Sequence, residues 1–485
     1  MNYYELIELK RTLASLRQLE GQKQENIHEN TFTQILEANK ETSVLLVSGD
    51  VVENVGRSTI NCTQCLWPTT NGLVIIPYTI ASVFTDNEKL LIKDAMKEIM
   101  TLSCVQFQER ATQRDFLSFQ SGNGCWSTVG KTGGSQAVSV SKNGCMSHGI
   151  IQHEILHSLG FIHEHSRSDR DDYVNINYQY INDGDKPNFQ KINSNNLGLQ
   201  YDYSSVMHYD RYSFTNTTGK ATITPKPDPS VPIGQRYGVS PLDISKLNKL
   251  YSCNICSNLI TGTNGMFTSA NYPSAYPTNS DCIWLIRVPS GQVFLQFNAF
   301  DVQSSPNCAS DYFKVYDGDD RSSPVLLNKA CGTGQLAPLV SSGNTMLVEF
   351  VSDTYLTGTG FKASYSRVTC GGTYYKTSGT VTSPGYPSNY PNSMDCMYII
   401  TAPVGYKISL SFSTFQTEYA SNCQNGYDYL SIYDGRSTAA PMINKLCGTQ
   451  KLTSPVVSTG SALLLQFHSD DFMNYQGFSA TYSFV

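Results

Sequence analysis

The stretch of sequence that decides the fold is HEILHSLGFIHE, residues 153–164. On a helix, His153 and His157 lie one turn apart on the same face, so both imidazoles can reach one metal ion. A helix that simply continued would carry His163 past that ion. Gly160 permits the left-handed turn that ends a helix, and this turn returns His163 as a third ligand. Three histidines leave the open coordination position that a catalytic zinc site needs.

Two further residues strengthen this interpretation. Glu154 follows the first histidine and is placed to act as general base toward an attacking water. Downstream, residues 205–209 read SVMHY, and Met207 in this turn is expected to pack beneath the metal. A helix end with stacked surface histidines would explain the first stretch alone, but it would not explain the second.

Together the two patterns resemble the astacin metalloproteases, which belong to the metzincins. The resemblance covers residues 58–255 and includes SGNGCWSTVG at 121–130 and RDDYV at 170–174. It implies an α+β zinc peptidase domain in which Tyr209 is a further zinc ligand that swings away to stabilise the oxyanion. It also implies that Glu164 anchors the new N-terminus that activation creates.

Residues 1–57 predict a helical pro-segment, because leucines recur at helical spacing near its start and it contains no cysteine. Gly49–Asp50 resembles the astacin latency motif, in which the aspartate binds zinc in the zymogen, although Val47 stands where that motif has phenylalanine. A Gly-Asp pair is also a common turn, and a partly disordered tail is the alternative for the segment. The nearest basic cleavage point before the catalytic domain is the bond between Arg57 and Ser58.

The C-terminal part of the chain contains two copies of one sequence pattern. Four cysteines recur at offsets of 114 to 116 residues, together with Tyr-Asp-Gly and Cys-Gly-Thr motifs. Short alternating strands such as 293–297 and 462–467, separated by Pro, Gly, Asn and Ser turns, predict a β-sandwich in each copy. A period this long indicates two tandem domains, 256–369 and 370–485.

These repeats resemble CUB domains, some of which bind calcium through one glutamate and two aspartates to engage protein partners. By that resemblance, Glu418, Asp428 and Asp470 form a candidate calcium site in the second repeat. The first repeat offers two aspartates and the neutral Gln303 in place of the glutamate. Calcium affinity follows ligand charge, so the first repeat is expected to bind weakly or not at all. Surface acids on sandwich loops are the alternative.

The two resemblances together imply a disulfide bond for every one of the 14 cysteines. The implied pairs are Cys104–Cys253, Cys125–Cys145, Cys256–Cys282, Cys308–Cys331, Cys370–Cys396 and Cys423–Cys447. Cys62 and Cys65 are expected to be bonded as in hatching-enzyme astacins, and whether they pair with each other stays open. A high, even cysteine count is typical of an oxidising compartment.

Composition is consistent with a secreted globular protein. No run of 18 or more apolar residues is present, which argues against a membrane-spanning helix, and a net charge of −6 argues against nucleic-acid binding. The first residues lack the basic and apolar pattern of a leader, so we expect a signal peptide that this sequence does not include. Asn216 begins an Asn-Thr-Thr sequon, which predicts a glycosylation site.

These observations predict a secreted zinc endopeptidase that is made as a zymogen and hydrolyses extracellular proteins. A protease followed directly by two CUB domains, without an EGF-like cysteine cluster, resembles the amphibian hatching enzymes, whose substrate class is the egg envelope. Two alternatives stay open: a tolloid-like protease that processes matrix or growth factors, and an inactive CUB-type adhesion protein. The presence of Glu154 and of all three histidines disfavours the second alternative.

Overall fold

A computed structural model of the chain describes residues 31–52, 65–403, 405–449 and 452–485. The predictions made at Arg57, Ser58 and Cys62, and for the leucines near the start of the chain, lie outside these residues. The chain divides into two compact units, Met1–Leu259 and Ile260–Val485. No helix in the described ranges is long and apolar enough to cross a membrane.

The first unit combines helices with a mixed sheet. Its α-helices are α1 (Thr31–Asn39), α2 (Asp86–Leu102), α3 (His148–Ser158) and α4 (Pro241–Leu250). Its strands are β1 (Leu46–Val47), β2 (Val51–Val52), β3 (Thr69–Thr70), β4 (Leu73–Ile80), β5 (Val105–Glu109), β6 (Phe116–Gln120), β7 (Cys125–Ser127), β8 (Ser135–Val140), β9 (Val174–Ile176) and β10 (Ile223–Pro225). Short 3-10 helices span Glu164–Ser166, Arg170–Asp172, Tyr178–Tyr180 and Asp183–Phe189.

The main sheet of this unit includes β1 and β2, which come from the residues predicted to form the pro-segment. Its order is β1-β2-β7-β8-β6-β4-β3, and β5 pairs with β4 on a separate branch. Strands β4, β5, β6 and β8 pair in parallel, whereas β7 is antiparallel to β8. Strand β2 adds to the other side of β7 in parallel, with Val51 opposite Ser127. The pro-segment therefore covers the backbone edge of β7 that an extended peptide could pair with.

Helix α3 passes through the interior, because all of its residues are buried. Ser147 caps its start by accepting a hydrogen bond from the backbone N–H of Ile150. The helix ends at Ser158, and Gly160 follows with φ of +102°, a left-handed conformation that favours glycine. This turn redirects the chain so that the residues after it come back toward the histidine face of α3.

The second unit consists of the two predicted β-sandwiches, which the structure confirms as all-β. The first repeat has β11 (Cys256–Thr261), β12 (Asn264–Thr268), β13 (Asp281–Arg287), β14 (Gln292–Val302), β15 (Tyr312–Tyr316), β16 (Val325–Ala330), β17 (Gly332–Thr333), β18 (Leu339–Val340), β19 (Thr345–Val351) and β20 (Gly360–Val368). The second has β21 (Cys370–Tyr374), β22 (Ser378–Thr382), β23 (Asp395–Thr401), β24 (Ile408–Gln416), β25 (Tyr429–Tyr433), β26 (Met442–Leu446), β27 (Val456–Val457), β28 (Ala462–His468) and β29 (Gly477–Phe484).

The two repeats share one strand order, except that β17 of the first repeat has no counterpart among the described strands of the second. In the first, the sheet β11-β13-β19-β15-β16 faces the sheet β12-β20-β14-β17, and β18 also pairs with β14. In the second, β21-β23-β28-β25-β26 faces β22-β29-β24-β27. Alternating residues of the facing strands form one aromatic-rich core in each repeat, around Phe313 and Phe361 in the first and Phe467 and Phe478 in the second.

The two repeats are also joined by an apolar cluster of their own. Its buried members are Phe294, Val340, Val368, Ile399 and Leu464. A polar contact accompanies it, since the backbone N–H of Val340 donates to the hydroxyl of Thr373 over 3.0 Å. The repeats therefore form one unit with a shared interior and are not two independent modules on a linker.

Disulfide bonds link distant parts of each domain. The structure contains Cys104–Cys253, Cys125–Cys145, Cys308–Cys331, Cys370–Cys396 and Cys423–Cys447. Cys65, Cys256 and Cys282 are disulfide-bonded as well, and no cysteine of the described residues is free. The first of these bonds joins residues 149 positions apart in the catalytic domain, so it fastens the chain after α4 to the start of β5.

Candidate active site and metal centres

Three imidazoles converge at one buried point beside α3. His153 and His157 extend from the helix, and His163 is returned by the turn at Gly160, so that the Nε2 atoms of His153 and His163 lie 3.3 Å apart. The Nδ1 of His153 is 2.8 Å from the carbonyl of Val206, and that of His157 is 2.8 Å from the carbonyl of Phe161. Donation from Nδ1 leaves the Nε2 lone pairs directed at the shared point.

Asp50 of the pro-segment completes this cluster. Its carboxylate oxygens lie 3.0 Å from Nε2 of His153, 3.1 Å from Nε2 of His163 and 3.5 Å from Nε2 of His157. Each of the four side chains offers one potential ligand atom, and these four atoms all lie within 4.8 Å of one another. All four side chains are buried. The preceding Gly49 has φ of +84°, so this glycine makes the turn that aims Asp50 inward.

The donor set fits a zinc ion. Within the described chain, Nε2 of His157 and Oδ1 of Asp50 are buried without a hydrogen-bond partner, and burial of such atoms is costly unless a partner satisfies them. Burial lowers the pKa of His153 to about 3, so this imidazole is neutral at pH 7, as a metal ligand must be. Three imidazole nitrogens and one carboxylate oxygen are a ligand set that zinc prefers.

Glu154 lies next to this cluster on α3. Its side chain is fully buried, and neither carboxylate oxygen has a hydrogen-bond partner in the part of the chain that is described. Burial, followed by the negative charge of Asp50, raises the pKa of Glu154 well above its usual range. A carboxyl group with raised pKa and open acceptor sites has the chemistry of a general base that later returns the proton.

Tyr209 faces the site from the turn that contains Met207. Its ring lies 3.7 Å from the ring of His165 and 4.6 Å from that of His163, between centroids. Burial raises the pKa of Tyr209 well above 10, so the phenol remains a hydrogen-bond donor. In this structure the hydroxyl donates to the carbonyl of Ser48, two residues before Asp50. The pro-segment therefore holds the tyrosine as well as the histidine cluster.

The backbone of the Met207 turn supports the three clustered histidines. Met207 is fully buried, and its carbonyl accepts a hydrogen bond of 3.0 Å from the backbone N–H of Glu164. The carboxylate of Asp243 on α4 accepts from the backbone N–H of Val206 over 2.9 Å and from the hydroxyl of Ser205 over 2.6 Å. The carbonyl of Val206 in this turn orients His153. Asp243 therefore ties the turn that orients this histidine to α4.

Asn39, at the C-terminal end of α1, is a contact residue that sequence reasoning missed. Its side-chain amide donates to the carbonyls of Gly49 and Cys125, each over 2.8 Å, and its oxygen accepts from the backbone N–H of Cys125 over 2.7 Å. One amide therefore bridges the helix, the turn at Gly49 and strand β7. The sequence offers no signal for it, because an asparagine at a helix end is ordinary.

The second repeat contains the predicted acidic cluster. Each of Glu418, Asp428 and Asp470 offers one potential ligand atom, and these three atoms all lie within 4.8 Å of one another. Asp428 is fully buried, accepts a hydrogen bond from the hydroxyl of Tyr390, and accepts another from the backbone N–H of Asp470 over 2.8 Å. Oε2 of Glu418 is buried without a hydrogen-bond partner in the described ranges. Burial, together with Asp470 and Asp428, raises the pKa of Glu418.

The first repeat builds the same frame with one different side chain. The hydroxyl of Tyr276 donates to buried Asp311 over 2.5 Å, and Asp311 accepts from the backbone N–H of Asp353 over 2.7 Å. Gln303 takes the place of the glutamate, and its Oε1 is likewise buried without a partner among the described residues. At this position, therefore, the second repeat has a carboxylate and the first repeat has a neutral amide.

The predicted glycosylation residue is accessible. Asn216 is exposed and lies in a surface turn, where its backbone N–H donates to the carbonyl of Tyr180 over 2.9 Å. Its side chain accepts a hydrogen bond of 2.6 Å from Thr217. Modification at Asn216 stays a prediction.

Comparison with known proteins identifies the family. Residues 60–252 match the model of the Astacin peptidase family, and residues 256–365 and 370–482 match CUB domains. The chain is 51% identical to embryonic protein UVS.2 of Xenopus laevis over 94% of this chain and 88% of the relative. It is 52% identical to an astacin-like metalloendopeptidase of Gallus gallus over 69% of this chain and 82% of the relative.

A solved structure is also similar to this chain. It is that of high choriolytic enzyme 1, a hatching enzyme zinc-protease of Oryzias latipes. The match has 47% sequence identity and a TM-score of 0.39, and it covers 40% of this chain and 96% of that one. The sequence matches show that this chain belongs to the astacin family of zinc-dependent metalloendopeptidases and carries two CUB domains. The predicted enzyme class, peptide-bond hydrolysis, is confirmed.

The contacts of Asn39 generate the first prediction. Asn39→Ala removes three hydrogen bonds and leaves backbone groups of Gly49 and Cys125 unpaired, at a cost of about 1–3 kcal/mol. We expect the uncut pro-form to cleave a quenched peptide at least about fivefold faster than the wild-type pro-form, because the turn formed by Gly49 and Asp50 then leaves the histidine cluster more often. The pro-form of Asp50→Ala is measured in the same assay and gives the largest increase expected, because it lacks the carboxylate that contacts the histidines.

Lys40→Ala is the matched control, since Lys40 is exposed and forms an ion pair with Glu37 at the surface. Zinc content is measured alongside to separate loss of latency from loss of the site. A pro-form of Asn39→Ala that stays as silent as the Lys40→Ala control would show that the amide bridge does not maintain latency.

Proposed function

We propose that this chain is the zymogen of a secreted endopeptidase that hydrolyses proteins of the egg envelope at hatching. The similarity to an embryonic protein extends over 94% of this chain, so it includes both CUB domains as well as the catalytic domain. The disulfides support secretion, because such bonds persist in oxidising compartments. The chemical part of the proposal is carried by the convergence of three buried imidazoles beside Glu154.

His153, His157 and His163 would hold the zinc ion. When bound there, zinc polarises the scissile carbonyl and lowers the pKa of the attacking water. Glu154 accepts the proton of that water and delivers it to the leaving amine, which its position on α3 and its open carboxylate oxygens support. The Tyr209 hydroxyl donates a hydrogen bond to the developing oxyanion once it no longer binds Ser48.

Latency follows from the same contacts. Asp50 lies against all three histidines, Ser48 occupies the Tyr209 hydroxyl, and β2 pairs with the edge of β7. The pro-segment thus blocks the ligand position, the oxyanion donor and the strand edge with one short stretch. Cleavage near Arg57 separates this stretch from the catalytic domain and allows it to leave.

Glu154→Gln tests the assigned chemistry. After activation, we expect this variant to retain zinc and fold but to lose activity on a quenched peptide by about 10²–10⁴-fold, because the general base is gone. His157→Ala should instead lose the metal, which elemental analysis detects. Wild-type protein should dissolve isolated egg envelopes, and Glu154→Gln should leave them intact.

The same assay separates the substrate classes. Activated wild-type protein that cleaves the peptide but leaves envelopes intact, while it processes matrix or growth-factor precursors, would refute the envelope proposal and favour a tolloid-like role. Near-normal turnover by Glu154→Gln would refute the catalytic assignment itself.

We further propose that the second CUB domain binds calcium through Glu418, Asp428 and Asp470, and that the bound ion helps to engage a protein partner. Hard carboxylate oxygens suit calcium, and the buried, unpaired Oε2 of Glu418 within the described ranges supports the assignment. The first CUB domain has the same frame but only two carboxylates, so its affinity is expected to be lower.

Exchanging a single residue in each domain tests this asymmetry in the full chain. Glu418→Gln should weaken calcium binding by the second domain, and Gln303→Glu should create a second site in the first, because each changes the ligand charge by one. Calorimetric titration counts the sites, and thermal melting with calcium reports their effect on stability. Equal binding by wild type and Glu418→Gln would contradict the role of Glu418.

A further inference from the structure

The ring of Tyr209 lies in a cage formed by four other rings. Its centroid is 3.7 Å from that of His165 and 4.6 Å from that of His163. The centroids of Phe189 and Phe214 each lie 5.9 Å away. Tyr209, His165 and Phe189 are fully buried. Close packing favours a single rotamer for an enclosed side chain, so this aromatic cage determines where the phenol hydroxyl points.

His165 is the nearest of the four rings, and its own position is fixed by polar contacts. Its Nε2 is 3.1 Å from the carbonyl of Asn188 and 3.3 Å from the hydroxyl of Ser166. Its backbone carbonyl accepts a hydrogen bond of 2.9 Å from Nη1 of Arg170. The same nitrogen donates to the carbonyl of Phe189 over 2.6 Å. One buried guanidinium group therefore ties two residues of the cage together.

Phe214 takes its place in the cage with a strained backbone. Its φ is +56°, in the left-handed region that a bulky side chain rarely adopts. Its ring also makes an edge contact with Phe189, with 5.9 Å between the centroids. Strain of this kind persists where the surrounding structure enforces it, and it is concentrated at functional sites. The strained residue here is one whose ring faces Tyr209.

The cage gains importance when the contact between Tyr209 and Ser48 is lost. In this structure the carbonyl of Ser48 accepts the hydrogen bond of the Tyr209 hydroxyl. After Ser48 has left, the surrounding rings aim the hydroxyl. Its aim matters for the rate, because a misplacement of about 1 Å can cost about 10²-fold.

We propose that His165 and Phe214 are positioning residues that hold the ring of Tyr209, so that its hydroxyl reaches the developing oxyanion. His165 supplies a flat face that Asn188 and Arg170 fix in place, and Phe214 supplies a second ring. Both residues act through Tyr209. This inference rests on the proposed function, in which Tyr209 donates a hydrogen bond to the oxyanion.

A double-mutant cycle in the activated protein with both CUB domains tests this role. Wild type, His165→Leu, Tyr209→Phe and the double variant are compared for kcat and KM on a quenched peptide and for zinc content. Tyr209→Phe removes one oxyanion donor and should lower kcat by about 10²–10³-fold. His165→Leu should lower kcat by about tenfold, with KM and zinc content within about twofold of wild type, because it misplaces the donor without removing it.

The two effects should not add. In the Tyr209→Phe background, His165→Leu should change kcat by less than about twofold, because the hydroxyl that His165 positions is already absent. Equal losses of kcat in both backgrounds would overturn the proposal, since His165 would then act independently of Tyr209. Phe84→Leu is the matched control and should keep wild-type kcat, because it removes a buried ring just before α2 instead of one in the cage.

Phe214→Asn decides the proposal if His165→Leu does not fold, because asparagine adopts the left-handed conformation more readily than phenylalanine. We expect it to lower kcat by about threefold or more with Tyr209 present and by less than about twofold in the Tyr209→Phe background. A kcat equal to that of wild type, or equal losses in both backgrounds, would contradict the proposal. Full activity of Tyr209→Phe would instead refute the oxyanion role in the proposed function.

Discussion

The catalytic domain depends on one constraint, which is that three imidazole nitrogens must meet at a single buried point. Helix α3 can supply only two of them, so the chain must stop the helix and return. Gly160 makes this turn, and the hydrogen bond between Glu164 and Met207 keeps it in place. The same point is also where Asp50 lies, so the feature that organises the active site also makes it easy to block.

The corresponding clusters of the two CUB domains differ in one side-chain group, which is a carboxylate in one domain and an amide in the other. A buried aspartate, a tyrosine hydroxyl and a backbone amide recur in both repeats with nearly the same distances. The third position is a carboxylate in Glu418 and an amide in Gln303. Because the frame is shared, the change from a carboxylate to an amide at this position is what distinguishes the two clusters.

Much of this structure could be predicted from the sequence, because local patterns were strong. The spacing of His153, His157 and His163 around Gly160 predicted a helix, a turn and a cluster. The recurrence of four cysteines predicted two tandem domains, and their short alternating strands predicted a β-sandwich in each. Asn39 could not be found in this way, because its role comes from contacts made across long stretches of chain and it stands in no repeating or periodic pattern. The shared core of the repeats escaped prediction for the same reason.

That shared core also constrains how such a protein can be assembled from modules. Domains joined by a flexible linker can be lost, duplicated or exchanged without penalty to their neighbours. Here Val340 and Val368 of the first repeat are buried against Ile399 and Leu464 of the second, so a chain that ended after the first repeat would expose an apolar surface to solvent. Exposed surfaces of this kind favour aggregation. The pair is therefore expected to be inherited as one piece, and its two halves are not freely interchangeable parts.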